Sequence, residues 1–388
     1  MPLLSTMFAL AAFPAQAVEV PFRIGETAII VDAKVNNKPV SLMFDTGFSG
    51  AVVLDNTINI GKPTGYMTLR DFVREMQAPI VKITSLMLGN KKIESTGMTA
   101  VQTEPANYSF SFNTHCDGIM GFEVIKNEIT EINFEKKKFI FHPKSVDITK
   151  RTPDNKKTFL AKLLLMGNNS MEMEVELPNG KTLTLALDTG NSFYATTHKD
   201  VLQRVGLWTD KEPKFTSLVG VASGSVSSFN IRVPAAKIYG IPVQNSVWDI
   251  IDLPSSSAEG DGTVGFGFLK HFNITIDYDR RRVWFENFSG KVVDDPVGET
   301  GISATYSESF KGVVVARVSP DSPAAVAGIK ERDLILSIDG RDVHLEGYRE
   351  MRQMLEGPVG SKVKIAIQRG GALKRFEIER KELLNELG

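Results

Sequence analysis

Apolar and polar residues alternate with a period of two ahead of two acidic turns, and this alternation predicts strands. In the first stretch, a strand from Ala28 to Val35, a turn at Asn36-Asn37 and a strand from Pro39 to Phe44 lead to Asp45-Thr46-Gly47. In the second, Met171 to Leu177, Pro178-Asn179-Gly180 and Lys181 to Leu187 lead to Asp188-Thr189-Gly190. Asn-Asn and Asn-Gly accept the positive φ that tight hairpin turns need. Val40, Leu42 and Phe44 stand five, three and one residues before Asp45, and Leu183, Leu185 and Leu187 stand likewise before Asp188. Side chains on a strand face alternate ways, so each Asp follows an inward-facing set and emerges at the top of a buried strand.

The two stretches belong to a longer repeat. The acidic turns are offset by 188 − 45 = 143 residues. Asp117-Gly-Ile-Met-Gly121-Phe122 is answered by Asp261-Gly-Thr-Val-Gly265-Phe266, and Ile132 to Phe141 by Ile276 to Phe285, both at an offset of 144 (261 − 117; 276 − 132). The chain therefore contains a duplicated lobe, and each lobe presents one acidic turn. Two turns in phase within a repeat imply a pseudo-twofold axis that brings Asp45 and Asp188 together. Carboxylates about 3 Å apart cannot both ionise and share a proton. One then acts as base towards a water and the other as acid towards a carbonyl oxygen.

Polar, Lys-rich residues from Pro143 to Lys157 separate the lobes, and a second break, Glu286 to Thr300, ends the repeat. Beyond it come a strand, Val313 to Val318, then a short helix from Ser319-Pro-Asp-Ser-Pro to a Gly328 stop. Asp333 to Gly340, an amphipathic segment around Tyr348 to Leu355 and a hairpin Val363 to Ile367, Arg369-Gly370-Gly371, Lys374 to Ile378 complete a small mixed domain. The organisation expected is a signal peptide at 1–17, lobes at 20–145 and 156–290, and a third domain at 299–384.

Composition narrows the picture. The 388 residues are 42% hydrophobic and 23% charged, as in a soluble globular protein with room for two or three domains. A formal charge of −1 argues against a nucleic acid or an anionic membrane as the main partner. Leu3 to Phe13 followed by Ala15-Gln16-Ala17 fits an export signal cleaved before Val18, although no basic residue stands near the start. An exported protein, periplasmic or secreted, is expected. Cys116 is the single cysteine, which excludes an internal disulfide and suits core packing.

The doubled Asp-Thr-Gly, with Ile119-Met120-Gly121 and Thr263-Val264-Gly265 downstream, resembles the pepsin-like and retropepsin-like aspartic peptidases. Residues 301 to 380 look like a bacterial PDZ domain, above all Ser322-Pro-Ala-Ala-Val-Ala-Gly-Ile329 followed by Asp333-Leu-Ile-Leu-Ser-Ile-Asp-Gly340. Together they resemble bacterial aspartyl proteases with a C-terminal PDZ domain. The resemblance implies a mainly β fold, bilobal and pepsin-like with two duplicated β-barrel lobes, plus the PDZ domain. It implies Asp45 and Asp188 as the catalytic pair of an aspartic-type endopeptidase, Thr46 and Thr189 locking each loop to the opposite backbone, and Gly47 and Gly190 permitting the close turn. In that family the residue after the Gly is often Ser, Thr or Ala, and a hydroxyl there bonds the outer carboxylate oxygen. Phe48 and Asn191 depart from this, with Ser49 or the Asn191 amide as partial substitutes.

Flaps over a bound peptide are expected at Gly65 to Gln77, with Tyr66 as the aromatic, and at Val219 to Val226 around Gly224. The PDZ domain would hold a polypeptide C-terminus by strand addition, its carboxylate at Gly301, Ile302 and Ser303; the bland alternative is a domain that only packs on the second lobe. The partners expected are a polypeptide substrate and a C-terminal peptide ligand, with no nucleic acid, no metal and no cofactor. The five histidines lack the paired spacing of a metal site. Gly260-Asp-Gly262-Thr-Val-Gly265 lacks the βαβ context of a dinucleotide loop and is better explained by the repeat. Gly190-Asn191-Ser192 is followed by Phe193-Tyr194 where an oxyanion turn would be wanted, so serine catalysis is disfavoured. Lys136 to Lys138 and Arg280 to Arg282 read as solvated hairpin tips. The competing function is an inactive, protease-like peptide-binding adaptor.

Overall fold

The computed structural model describes residues 16–387 apart from 26, 71–74, 106–111, 113, 165, 167–170, 210–214, 222–223, 256–259, 296, 308, 344–350, 352–353 and 384–386. The expected signal at 1–17 therefore lies almost wholly outside the described residues, as does most of the segment Tyr348 to Leu355. The fold is mainly β, with a PDZ domain at the C-terminal end and a few short helices.

The hairpins form where the turn residues allow them. Asn36 and Asn37 take φ of 47° and 66° between the Ala28–Val35 and Lys38–Asp45 strands, and Gly180 takes φ of 76° before the Thr182–Leu187 strand. The Thr182–Leu187 strand alternates cleanly between buried and part-exposed positions. Its counterpart Lys38–Asp45 is buried on both faces, because Met43 packs against Ala28, Ile30 and Cys116 on the side opposite Leu42 and Phe44. Cys116 is thus a core residue, its thiol donating to the Gly118 carbonyl at 3.2 Å.

The same strand crossing is built twice. Gly118–Gly121 lies parallel to Lys38–Asp45 and antiparallel to Val52–Asp55. In the second copy Gly262–Val264 lies parallel to Thr182–Leu187 and antiparallel to Ala195–His198. Three strands this close leave no space for side chains at the crossing: a Cβ on Gly118 would sit 2.0 Å from the Val53 carbonyl oxygen, and one on Gly262 2.1 Å from that of Thr196. Asp117 and Asp261, which the sequence marked only as repeat signposts, hold the crossings. Each carboxylate accepts from a strand amide, Ser41 N–H at 2.8 Å and Thr184 N–H at 2.9 Å.

A six-stranded sheet joins the halves. Val18–Pro21, Lys138–His142 and Ile129–Asn133 come from the first, and Phe272–Asp277, Arg282–Asn287 and Thr158–Lys162 from the second. At its centre Ile129 pairs with Asp277 and Asn133 with Asn273, so Glu131 pairs with Thr275, its own counterpart in the repeat (275 − 131 = 144). The hairpin tips fall at Lys137 and Arg281, both at positive φ, in the runs read as solvated. One apolar core runs through both halves, and a separate one, including Ile335, Ile338, Val363 and Ile365, fills the PDZ domain.

The PDZ domain carries the predicted short helix, Pro323–Ala327, capped by Ser322 and stopped by Gly328 at φ 86°. Its closing hairpin, Lys362–Arg369 and Ala372–Glu379, turns at Gly370 and Gly371 as expected. Buried Asp333 takes both prongs of Arg369 at 2.6 Å. The domain docks on the second half at several points: Thr216 N–H donates to Ser319 Oγ at 2.9 Å, Leu387 N–H donates to the Arg232 carbonyl at 2.8 Å, and Arg232 pairs with Glu382. Leu387 itself is buried in the main core.

Candidate functional site

The two acidic turns meet between the halves. Thr46 N–H donates to Thr189 Oγ1 at 3.1 Å, and Thr189 N–H to Thr46 Oγ1 at 3.0 Å. Each hydroxyl in turn donates across the axis, Thr46 to the Leu187 carbonyl at 2.7 Å and Thr189 to that of Phe44 at 2.8 Å. Both threonines are buried, so all four backbone groups depend on this reciprocal exchange.

The threonines bring the carboxyls into contact. Asp45 Oδ1 accepts from Gly47 N–H at 2.8 Å and Phe48 N–H at 3.1 Å, and Asp188 Oδ1 from Gly190 N–H at 2.9 Å and Asn191 N–H at 3.2 Å. A Cβ on Gly47 would lie 2.7 Å from the carboxyl carbon of Asp188, and one on Gly190 2.4 Å from that of Asp45. Glycine is therefore required by the opposite carboxyl, not by φ.

The pair is electrostatically unequal. Burial, then the charge of Asp188 and a hydrogen bond to it, hold Asp45 well above the usual carboxylate range. Burial raises Asp188 too, but the hydrogen bond to Asp45, the Gly190 and Asn191 amides and the Thr263 hydroxyl pull it back. Burial thus raises both carboxyls, Asp45 further than Asp188, and the two titrate as a pair.

Thr263 is the donor that sequence reasoning missed. Its counterpart at the offset of 144 is Ile119, which has no hydroxyl, so the repeat itself hid it. Asn191 steers it: its amide donates to Thr263 Oγ1 at 2.7 Å and to Thr196 Oγ1 at 2.9 Å, while Asn191 Oδ1 accepts from Phe193 N–H at 2.9 Å. Asn191 therefore acts one step behind the carboxylate rather than as its direct side-chain donor.

The other expected site residues are dispersed. Tyr66 lies on the Gly65–Arg70 strand, paired with Glu75–Lys82, and is 73% exposed. Gly224 opens the Gly224–Ile238 strand and pairs with Val221 across the hairpin from Phe215–Val221. Gly301, at φ 85°, precedes the Ile302–Ser307 strand. Here Ile302 N–H donates to Thr300 Oγ1 at 3.3 Å, and Ser319 N–H to the Gly301 carbonyl at 2.9 Å. Among the described residues no cluster of metal-ligating side chains is found.

A Ser-His-Asp grouping is also present. His271 Nδ1 lies 3.2 Å from Ser289 Oγ, and Nε2 lies 3.5 Å from Asp294 Oδ1. The His271 contact is the main cause that lowers the Asp294 carboxyl to about 2. Ser289, however, clamps its own turn: its hydroxyl lies 2.9 Å from the Lys291 carbonyl and accepts from Lys291 N–H at 3.1 Å. The grouping belongs to the surface turn between the second half and the PDZ domain.

Comparison with known proteins matches residues 314–369 to the PDZ domain family. Among curated proteins, the serine protease Do-like HtrB of Bacillus subtilis is 22% identical over 85% of this chain and 74% of its own length. The periplasmic pH-dependent serine endoprotease DegQ of Escherichia coli is 30% identical over 31% of this chain and 27% of its own. Six further relatives align over 18% to 32% of this chain, which spans a third or less of each of them. Among solved structures, an aspartic proteinase from Irpex lacteus aligns with a TM-score of 0.43 at 14% identity, covering 72% of this chain and 100% of that one.

These relatives correct the expected activity. The aspartic-type endopeptidase, with its inert adaptor alternative, is not carried forward, because the curated relatives are named serine proteases. Protease kinship and the PDZ domain remain; the expected kinship with bacterial aspartyl proteases does not. The misreading came from treating a turn motif as sufficient to name a reaction class.

Proposed function

We propose that the chain is an exported protease acting on polypeptides, with a PDZ groove for a polypeptide C-terminus and a paired-carboxyl site at Asp45 and Asp188 where its halves meet. Relatives named as proteases, one of them periplasmic, support the first part of this reading. The twice-built strand crossing supports a two-lobed, pepsin-like arrangement of residues 20–145 and 156–290, with the PDZ domain at 299–384.

The observation that carries the site is the closed exchange of hydrogen bonds between Thr46 and Thr189, which presses two carboxyls together. Holding such a buried pair costs stability unless one carboxyl is protonated. Tyr66 and Gly224 stand on the two hairpins proposed to cover an extended polypeptide, and Gly301, Ile302 and Ser303 are proposed to receive its terminal carboxylate.

The test treats the purified protein, and an Asp188→Asn version, with a peptide library and a fluorophosphonate that labels active serines, reading new termini and labelled residues by mass spectrometry. Cleavage by the purified protein is the expected result, and the labelled residue together with the effect of Asp188→Asn assigns the reaction class. No cleavage by the parent would overturn the protease reading, and a labelled serine with cleavage retained by Asp188→Asn would leave the pair a structural hub.

A further inference from the structure

A third acid, Asp249, is buried in the second half. It is 0% exposed on the Ile241–Ile251 strand, and its Oδ1 accepts from the Asn230 amide at 3.3 Å. In register it stands between Asn230 on one neighbouring strand and Thr196 on the other, and Thr196 in turn pairs with Thr263. Paired residues of adjacent strands point to the same face, so Thr263, Thr196, Asp249 and Asn230 form one polar row.

The first half has the same row in apolar form. Phe48 stands three residues after Asp45 as Asn191 does after Asp188, Ile119 answers Thr263 (263 − 119 = 144) and Val53 answers Thr196 (196 − 53 = 143). Ile119 pairs with Val53, Val53 with Val101 and Val101 with Ile80, link for link as in the second half. All of these pack in one apolar cluster, Phe48 included. Equivalent positions are thus apolar beside Asp45 and polar beside Asp188.

The hydrogens of the polar row have a definite direction. Phe193 N–H occupies Asn191 Oδ1 at 2.9 Å, so the Asn191 amide gives its hydrogens to Thr196 Oγ1 at 2.9 Å and Thr263 Oγ1 at 2.7 Å. Each threonine, accepting there, keeps its own hydrogen to give away. Thr263 gives its hydrogen to Asp188, and the group placed to take that of Thr196 is Asp249, its partner across the parallel strands. A double donor at the centre and an acid at each end satisfy every member of such a chain.

We propose that Asp249 is a positioning residue of the paired-carboxyl site: by taking the Thr196 hydrogen it holds Thr196 as an acceptor for Asn191, and so aims the Asn191 amide and the Thr263 hydroxyl at Asp188. It acts through these side chains, not by contact with the pair. The inference rests on the paired-carboxyl site, but its test reads proton uptake at the pair. A protein that cleaves nothing can therefore still uphold the relay, and a protein that cleaves can still refute it.

The test follows Asp188 against pH by carboxyl-carbon NMR of the full chain with labelled aspartate, Asp188→Asn assigning the signal. Asp249→Val, which installs the residue found at Val101, should raise the Asp188 titration as Thr263→Val does. Asp249→Asn, whose side-chain oxygen still accepts, should not raise it. Charge alone predicts a fall in both, since a neighbouring anion raises a carboxyl. The other titratable neighbours are Asp45 and Tyr239 at Asp188, and His198, two residues along from Thr196 on the Asp249 face; all are kept in these variants. The same movement in both variants, or none, would overturn the relay.

Thr196→Val breaks the chain one link nearer and should raise the titration likewise. The double variant Thr196→Val, Asp249→Val rebuilds the apolar pairing of Val53 with Val101, so it leaves neither partner without the other and keeps the fold. Its shift should be no larger than that of either single change. Shifts that add would mean separate routes to Asp188 and overturn the shared one.

Discussion

At the scale of single residues, two acids equivalent in the repeat are unequal in their surroundings. Asp188 has the Thr263 hydroxyl, while the matching position near Asp45 is Ile119. A donor to the charged form lowers a carboxyl, so losing it raises one. Thr263→Val should lift the lower of the pair's two titrations with the fold intact, as followed by NMR of the carboxyl carbons; an unmoved titration would deny Thr263 this role. The acids and glycines of the turns were legible because their chemistry repeats at a constant offset. Thr263 was not, because a donor present in only one copy leaves no trace in a repeat.

Among elements, the turns are locked by side chains reaching backbone across the axis. Thr189→Val would leave the Thr46 N–H and the Phe44 carbonyl without their partners, at roughly 1–3 kcal/mol for each buried group. Chemical denaturation should show a loss of about 2–6 kcal/mol, with Thr189→Ser recovering most of it; a Val variant as stable as the parent would mean the backbone finds other partners. Strands and hairpins were legible from alternation and from Asn and Gly at turns. The double burial of Lys38–Asp45 was not, because Met43 is covered by Ala28 and Cys116, which lie far apart in sequence. The crossing roles of Asp117 and Asp261 were equally hidden, since they depend on amides some 76 residues away.

For the whole molecule, the raised carboxyl of Asp45 links folding to pH. Asp45 is raised in the folded state, so the native protein binds its proton more tightly than the unfolded chain does. The resulting stabilisation is complete below the unfolded carboxyl pKa, and it is lost as pH rises through the raised value. Asp45→Asn, neutral at every pH, should therefore melt higher than the parent at pH 8 and converge with it near pH 4, the gap reflecting about 1.4 kcal/mol per unit of raised pKa. A gap that is constant with pH would mean that the carboxyls ionise freely. The segment after the PDZ domain contributes at this scale too, since Leu387 inserts into the core of the preceding half. That insertion could not be read from the sequence, where the residue closes a polar tail.

The pairing of Glu131 with Thr275, each the other's counterpart, is the geometry of an isologous interface, the kind that joins two identical subunits. Three strands from each half meet there, as they would in a symmetric dimer of half-length chains. In such a dimer every residue change appears on both sides of the axis. Joining the halves through residues 143–157 removes that constraint. One acid can then acquire a hydroxyl donor that the other lacks, and one half alone can carry a PDZ domain beside its turn. The fused chain can assign different protonation states to two carboxyls that symmetry would have kept interchangeable.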